Sequence, residues 1–243
     1  MRVIGIFGPT GVGKTGVAIA LAEELRKLGE DPIAISCDAL QVYEGLGVLT
    51  GVASAEEREL LEHRLVGFVP VTQPFSVGDY MELAHAEIDR ALEAGRRPIV
   101  VGGTGLYLRA AVAELSLEKA PPGAEDSELW SSETRLPTTI FGLDMDRALL
   151  YERIDARTNA IVAAGAEEEV RRAEASAPSR TARKALGFDE LRGGDVDLMK
   201  KRSRNYARRQ LTWMRKIPNL RTIDRTGRSD ADVAAEIADR LAD

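Results

Sequence analysis

The stretch "GPTGVGKT", Gly8 to Thr15, constrains what this chain can fold into more than any other. It fits the pattern GxxxxGK[ST]. It also lies where that pattern has a structural meaning, after the apolar run "RVIGIF" and before a segment whose Val17, Ala20, Leu21, Leu25 and Leu28 recur at helical spacing. A strand, a glycine-rich turn and a helix in that order present backbone amides and a helix N-terminus to a phosphate or diphosphate. Gly8, Pro9, Thr10, Gly11, Val12, Gly13, Lys14 and Thr15 are therefore expected to surround an anion, with Lys14 neutralising an oxygen and the Thr15 hydroxyl holding magnesium. The loop specifies an anion and does not say whether a phosphoryl group moves.

The rest of the chain alternates in the same way. "PIAIS", "PIVVGG", "TTIFGL" and a final "LRTI" read as strands. Between them, "FSVGDYMELAHAEIDRALEAG" reads as a helix, with Ser76 and Asp79 forming a capping box and Gly95 a stop, and a further helical stretch runs from about Arg147 to Ala175. Strands alternating with helices predict an α/β fold: a P-loop NTPase-like parallel sheet with helices on both faces and a helical C-terminal part. Such sheets bind ligands at the carboxyl ends of their strands, where "FGPTG", "SCDAL" and "GGTG" all fall. The whole of residues 1–243 reads as one domain, and "LEKAPPGAEDSELWSSETRLP" as a connection within it.

Composition narrows the function classes. Apolar residues make up 44% and charged ones 30%, ordinary for a globular protein, and no apolar run is long enough to cross a bilayer. With no signal peptide legible, a cytoplasmic location without membrane contact is expected. A single cysteine, Cys37, excludes an internal disulfide and a cysteine-based zinc site, and His63 and His85 have no metal motif around them, so both read as structural or surface residues. The net charge is −6, yet nine Lys or Arg and no acid lie between Lys200 and Arg221. So concentrated a basic stretch on an acidic protein is a possible footprint for a polyanion.

Taken together, "GPTGVGKT", "SCDALQVY", "FSVGDY", "PIVVGGTGLYLRA" and "RNYARRQLTWMRK" resemble the tRNA dimethylallyltransferase family, also called tRNA isopentenyltransferase. The resemblance implies transfer of a dimethylallyl group from dimethylallyl diphosphate, held with magnesium on the phosphate loop, to N6 of the adenosine immediately 3′ of a tRNA anticodon. It places the proton acceptor on Asp38, with Ala39, Leu40 and Gln41 against the target base, and Thr10 and Thr104 near the reacting groups. An arginine from "ERIDART", Arg153 or Arg157, would meet the diphosphate; four apart on a helix, they share a face, and the sequence does not choose between them. Thr104 also has a plainer reading as a helix cap, and Asp38 one as a cap or a magnesium ligand through water. In residues 179–217 the resemblance implies an RNA-facing segment, with Arg183, Lys184, Arg204, Arg208, Gln210 and Arg215 on tRNA. If "KKRSRNYARRQLTWMRK" is a helix, Tyr206, Gln210, Trp213 and Ile217 share one face, with Tyr206 and Trp213 assigned to packing. The base must leave its stack to reach a buried diphosphate, so the anticodon loop would deliver a flipped nucleotide. Nothing in the sequence marks a dimerisation seam, so a monomer is expected.

Four features depart from the family pattern. Ala39 stands where the family usually has Ser, "GVLTGVAS" replaces a Lys-containing stretch, and "EHRLVGF" reduces a double-His motif. The family's helical insertion is cut to a remnant at residues 113–136. Three rival readings follow: an adenylate isopentenyltransferase acting on a free nucleotide, a small-molecule P-loop kinase, and an RNA-binding protein with a degenerate site.

Overall fold

The computed structural model describes residues 2–116 and 129–242. In chain order its strands are β1 (Val3–Phe7), β2 (Asp31–Ser36), β3 (His63–Arg64), β4 (Arg96–Gly102), β5 (Thr138–Asp144) and β6 (Arg221–Asp224). Its helices are α1 (Lys14–Lys27), α2 (Gly47–Thr50), α3 (Ala55–Leu60), α4 (Val77–Glu93), α5 (Gly105–Val112), α6 (Arg147–Ala163), α7 (Ala166–Ala175), α8 (Phe188–Arg192), α9 (Val196–Met214) and α10 (Asp230–Ala242). All six strands are parallel, in the order β3-β2-β4-β1-β5-β6.

The strands are continuous apolar runs because both faces of the sheet are covered. Along β1, Ile4 and Ile6 point into a core shared with α1, α6 and α10, while Val3 and Phe7 point into a second core shared with α4 and α5. In β5, Phe141 and Leu143 face the first core and Ile140 the second. Complete burial of a side chain such as Ile4 or Phe141 contributes roughly 1.5–3 kcal/mol relative to leaving it exposed. A third cluster, outside the sheet, packs α2, α7, α8 and the start of α9 around Tyr43, Phe188 and Met199. It forms a wall beside the carboxyl ends of the strands.

The five strands and the capping box of α4 expected from the sequence are present. The single helix expected from Arg147 to Ala175 is instead two, α6 and α7, because Gly165 adopts a left-handed φ of 94° that redirects the chain. The basic helix ends at Met214, so Ile217 does not share its face; Ile217 lies beyond the helix end, before Pro218, and is buried in the second core. The short β3 and the helices α2, α3, α8 and α10 carry no signal read from the sequence. Residues 117–128 of the expected insertion remnant lie outside the described residues. Of its described part, Trp130 packs on Trp213 with ring centroids 4.8 Å apart.

Candidate active site

The phosphate loop leaves β1 and turns into α1 through Gly11 and Gly13, both at positive φ. Gly13 is the N-cap of α1 and offers no side-chain cap, so the first amides of the helix remain available to an anion. A side chain at Gly13 would also collide with Arg225, its Cβ falling 1.9 Å from Nη1. Lys14 Nζ donates to the carbonyls of Gly8 at 3.1 Å and Pro9 at 3.0 Å. Burial lowers its pKa to about 8, Asp38 opposes that shift and Arg157 adds to it. Thr15 follows in the first turn of α1 and lines the same cavity.

Arg153 and Arg157 of α6 both reach the loop. Arg153 Nε donates to Gly11 O at 2.9 Å from an exposed position. Arg157 Nη1 donates to Thr10 Oγ1 at 2.6 Å, and Nη2 to Thr50 O at 3.2 Å. Burial holds the Arg157 guanidinium below its ordinary pKa, and Asp38 counters the shift. Arg157 thus lies, with Lys14, in the field of the carboxylate.

Asp38 stands at the carboxyl end of β2, where its Oδ1 accepts from Leu40 N at 3.0 Å. No helix begins there, since α2 starts only at Gly47, so the cap reading fails. Thr104 occupies the N-cap position of α5 without making a cap bond; its Oγ1 instead accepts from Ala39 N at 3.2 Å. Burial raises the Tyr206 pKa to about 12, keeping the phenol neutral. Asp38, Lys14, Thr15, Arg157 and Thr10 line one cavity of about 670 Å³, within the range of small-ligand sites. A smaller cavity of about 300 Å³, lined by Lys184, Arg202 and Arg209, adjoins it through Leu40, Leu186 and Tyr206.

Other expected site residues lie differently. Gln41 does not offer its amide to a base: Oε1 accepts from Ser36 Oγ at 3.0 Å, and Nε2 donates to Gly51 O at 3.0 Å and Thr50 O at 3.4 Å. Gln210 is buried, its amide bonded to Thr10 N and Gly103 O. Arg183 is paired with Glu174, and Arg204 with Asp155 at 2.6 Å, which removes part of the expected basic footprint. Ala39 packs at the edge of the second core and Leu40 at that of the third. Lys184, Arg208 and Arg215 are exposed, and none has an acidic partner among the described residues. His85 is structural, bonded to Ala110 O at 2.9 Å, whereas His63, bonded to Leu61 O, also lines the cavity.

Sequence reasoning missed Arg225. Its Nη1 donates to Val12 O at 2.6 Å and Gly13 O at 3.2 Å, and its Nη2 pairs with Asp230 at 2.5 Å. Arg225 braces the phosphate loop from behind. No motif surrounds it, and no local spacing could have found it.

This fold, with a phosphate loop, two arginines and a carboxylate on one cavity, defines a P-loop-like α/β protein with an anion-binding site. Residues 41–133 and 124–217 match the family described as IPP transferase, and residues 1–74 match one described as isopentenyl transferase. A tRNA dimethylallyltransferase from Limosilactobacillus fermentum is 31% identical, over 88% of this chain and 90% of its own. One from Pseudarthrobacter chlorophenolicus is 31% identical over 97% of each. The crystal structure of the full-length tRNA isopentenylpyrophosphate transferase from Bacillus halodurans superposes with a TM-score of 0.86 at 27% identity, covering 99% of this chain and 95% of that one. The chain belongs to the IPP transferase family, whose curated relatives here are tRNA dimethylallyltransferases.

Proposed function

We propose that the protein transfers a dimethylallyl group from dimethylallyl diphosphate to the exocyclic N6 amine of the adenosine immediately 3′ of the anticodon in tRNA. The observation that carries this reading is the shared cavity, in which an anion cradle and the Asp38 carboxylate face one space. The adenine N6 lone pair is delocalised into the ring, so attack requires loss of an N6 proton as the new bond forms. In the step, N6 bonds to C1 of the allyl group, and the C1–O bond breaks with its electron pair leaving on the diphosphate. The N6 proton passes to Asp38, a contribution of about 10²- to 10⁴-fold. Lys14, Arg157 and the open amides of α1 oppose the charge that develops on the diphosphate.

The donor set suits a hard cation. Among the described residues no cluster of three or more His, Cys, Asp or Glu could hold a metal alone, so ligands would come from the Thr15 hydroxyl and the diphosphate itself. Magnesium held there would supply charge neutralisation at the leaving oxygens. No helix among the described residues is long and apolar enough to cross a membrane. The reading places the enzyme in the cytoplasm, as a monomer, with the exposed face of α9 and Lys184 against the anticodon loop. Residues 113–136 would stand where relatives carry a longer insertion. The alignment with the Pseudarthrobacter relative runs over 297 positions against a chain of 243 residues, so that relative carries residues this chain lacks.

Labelled dimethylallyl diphosphate offered with magnesium to an unmodified tRNA, and in parallel to AMP, tests the reading. Label is expected in the tRNA. Label in AMP alone would transfer the assignment to a free-nucleotide acceptor, and ATP-dependent phosphorylation of a metabolite with no prenyl transfer would refute it. An Asp38→Ala variant should keep diphosphate binding and lose at least about 10²-fold in turnover.

A further inference from the structure

Gln210 lies in the last third of α9, the most basic helix among the described residues, yet faces inward. Its neighbours Arg208 and Arg209 are exposed, whereas Gln210 is only 4% exposed. Its Oε1 accepts from the backbone N–H of Thr10 in the phosphate loop at 2.7 Å, and its Nε2 donates to Gly103 O at the end of β4 at 2.8 Å. A Cβ on Gly103 would lie 2.2 Å from Nε2, so the glycine is what admits the amide. The helix continues the contact on either side. Tyr206 lines the cavity, and Trp213 covers Gly105, where a Cβ would come within 2.3 Å of the indole.

These contacts complete a chain. Arg157 holds Thr10 Oγ1, Thr10 N is held by Gln210, Gln210 holds Gly103 O, and the adjacent Thr104 holds Ala39 N beside Asp38. The site's cation and its carboxylate are thus tied to each other through α9. A primary amide suits this position because it offers one acceptor and one donor in a fixed plane; a carboxylate lacks the donor and a hydrocarbon lacks both.

We propose that Gln210 is a positioning residue that fixes the phosphate loop against the Asp38 carboxylate, and that it is not an RNA contact. On this view α9 carries RNA on its outer face and the catalytic register on its inner face. The role assigned to Asp38 rests on the prenyl-transfer reading; the fixing of the loop does not.

The experiment uses the full chain, with Gln210→Glu and Gln210→Leu variants. Three quantities are measured: affinity for inorganic diphosphate with magnesium by calorimetry, affinity for an anticodon stem-loop RNA, and kcat and KM for transfer. For Gln210→Glu near pH 8, diphosphate affinity and kcat should each fall by about tenfold or more, with RNA affinity and the KM for tRNA within about twofold of the unaltered protein. As the pH falls, the buried carboxyl protonates and regains a donor toward Gly103 O while still accepting from Thr10 N. The deficit relative to the unaltered protein should therefore shrink toward about pH 5.5. Gln210→Leu should show the deficit without that recovery. Should it fail to fold, the near-isosteric glutamate still decides the matter. Unchanged diphosphate affinity with weakened RNA binding, or a deficit in Gln210→Glu that ignores pH, would overturn the proposal. Absence of transfer by the unaltered protein would refute the prenyl-transfer reading instead, leaving the diphosphate and RNA affinities to judge Gln210.

Discussion

Lys14 is where a single residue gives the site a pH dependence. Burial brings its pKa down from 10.5 to about 8, so at higher pH the empty folded protein releases a proton that the unfolded chain keeps. The unfolded state then binds more protons, and the Lys14 contribution to stability rises with pH between about 8 and 10.5. A bound diphosphate favours the ammonium and works in the opposite direction. Diphosphate affinity should weaken as pH rises above about 8, with net proton uptake on binding; titration calorimetry in buffers of different ionisation enthalpy measures it, and Lys14→Met should abolish the uptake. The loop motif made Lys14 legible from sequence. The contacts of Gln41 were not legible at the same scale, because a sequence shows that an amide can read a base but not that Ser36 and Gly51 hydrogen-bond with it in the folded chain.

Among the elements, the shortest carry contacts that no local pattern encodes. Helix α2 spans only Gly47–Thr50, too short to persist alone, and Glu169 of α7 accepts from both Val48 N at 3.0 Å and Leu49 N at 2.8 Å. The reward for this anchoring is Thr50 O, which receives both Arg157 and Gln41. Glu169→Ala leaves two amides without their acceptor and should cost about 1–3 kcal/mol, read by urea unfolding, with a further loss of transfer as Arg157 loses its brace. The α6–α7 break is a cleaner case. Gly165 has open space around it, so Gly165→Ala meets no clash and pays only for the left-handed conformation, about 1–2 kcal/mol by the same measurement. By contrast α4 was legible to the residue, since Ser76, Asp79 and Gly95 are local signals.

At the scale of the whole molecule, the basic stretch divides into two populations. Arg204 is paired with Asp155, Arg202 with Glu190 and Lys200 with Asp197, whereas Arg208, Arg209 and Arg215 are exposed without an acidic partner among the described residues. Only the second group is expected to displace counterions from RNA. Arg209→Ala should reduce the slope of log affinity against log salt by roughly 0.7–0.9, whereas Arg204→Ala should leave it unchanged. RNA binding measured across a salt series distinguishes the two. The adjoining cavity lined by Lys184, Arg202 and Arg209 lies between that surface and the cavity that Asp38 lines, the two sharing Leu40, Leu186 and Tyr206.

Local chemistry in the sequence was enough to determine the parallel α/β fold and the phosphate loop, and the resemblance of its motifs to a known family added the candidacy of Asp38. Apolar runs, glycine turns and caps act over a few residues, and strands that end in such turns place their loops on one edge of the sheet. Tertiary structure alone decided which side chains complete the site. Arg225 reaches Val12, Gln210 reaches Thr10 and Glu169 reaches Leu49 across more than a hundred residues of chain, and whether an amide or a cation turns to the solvent or to the core depends on the element packed against it.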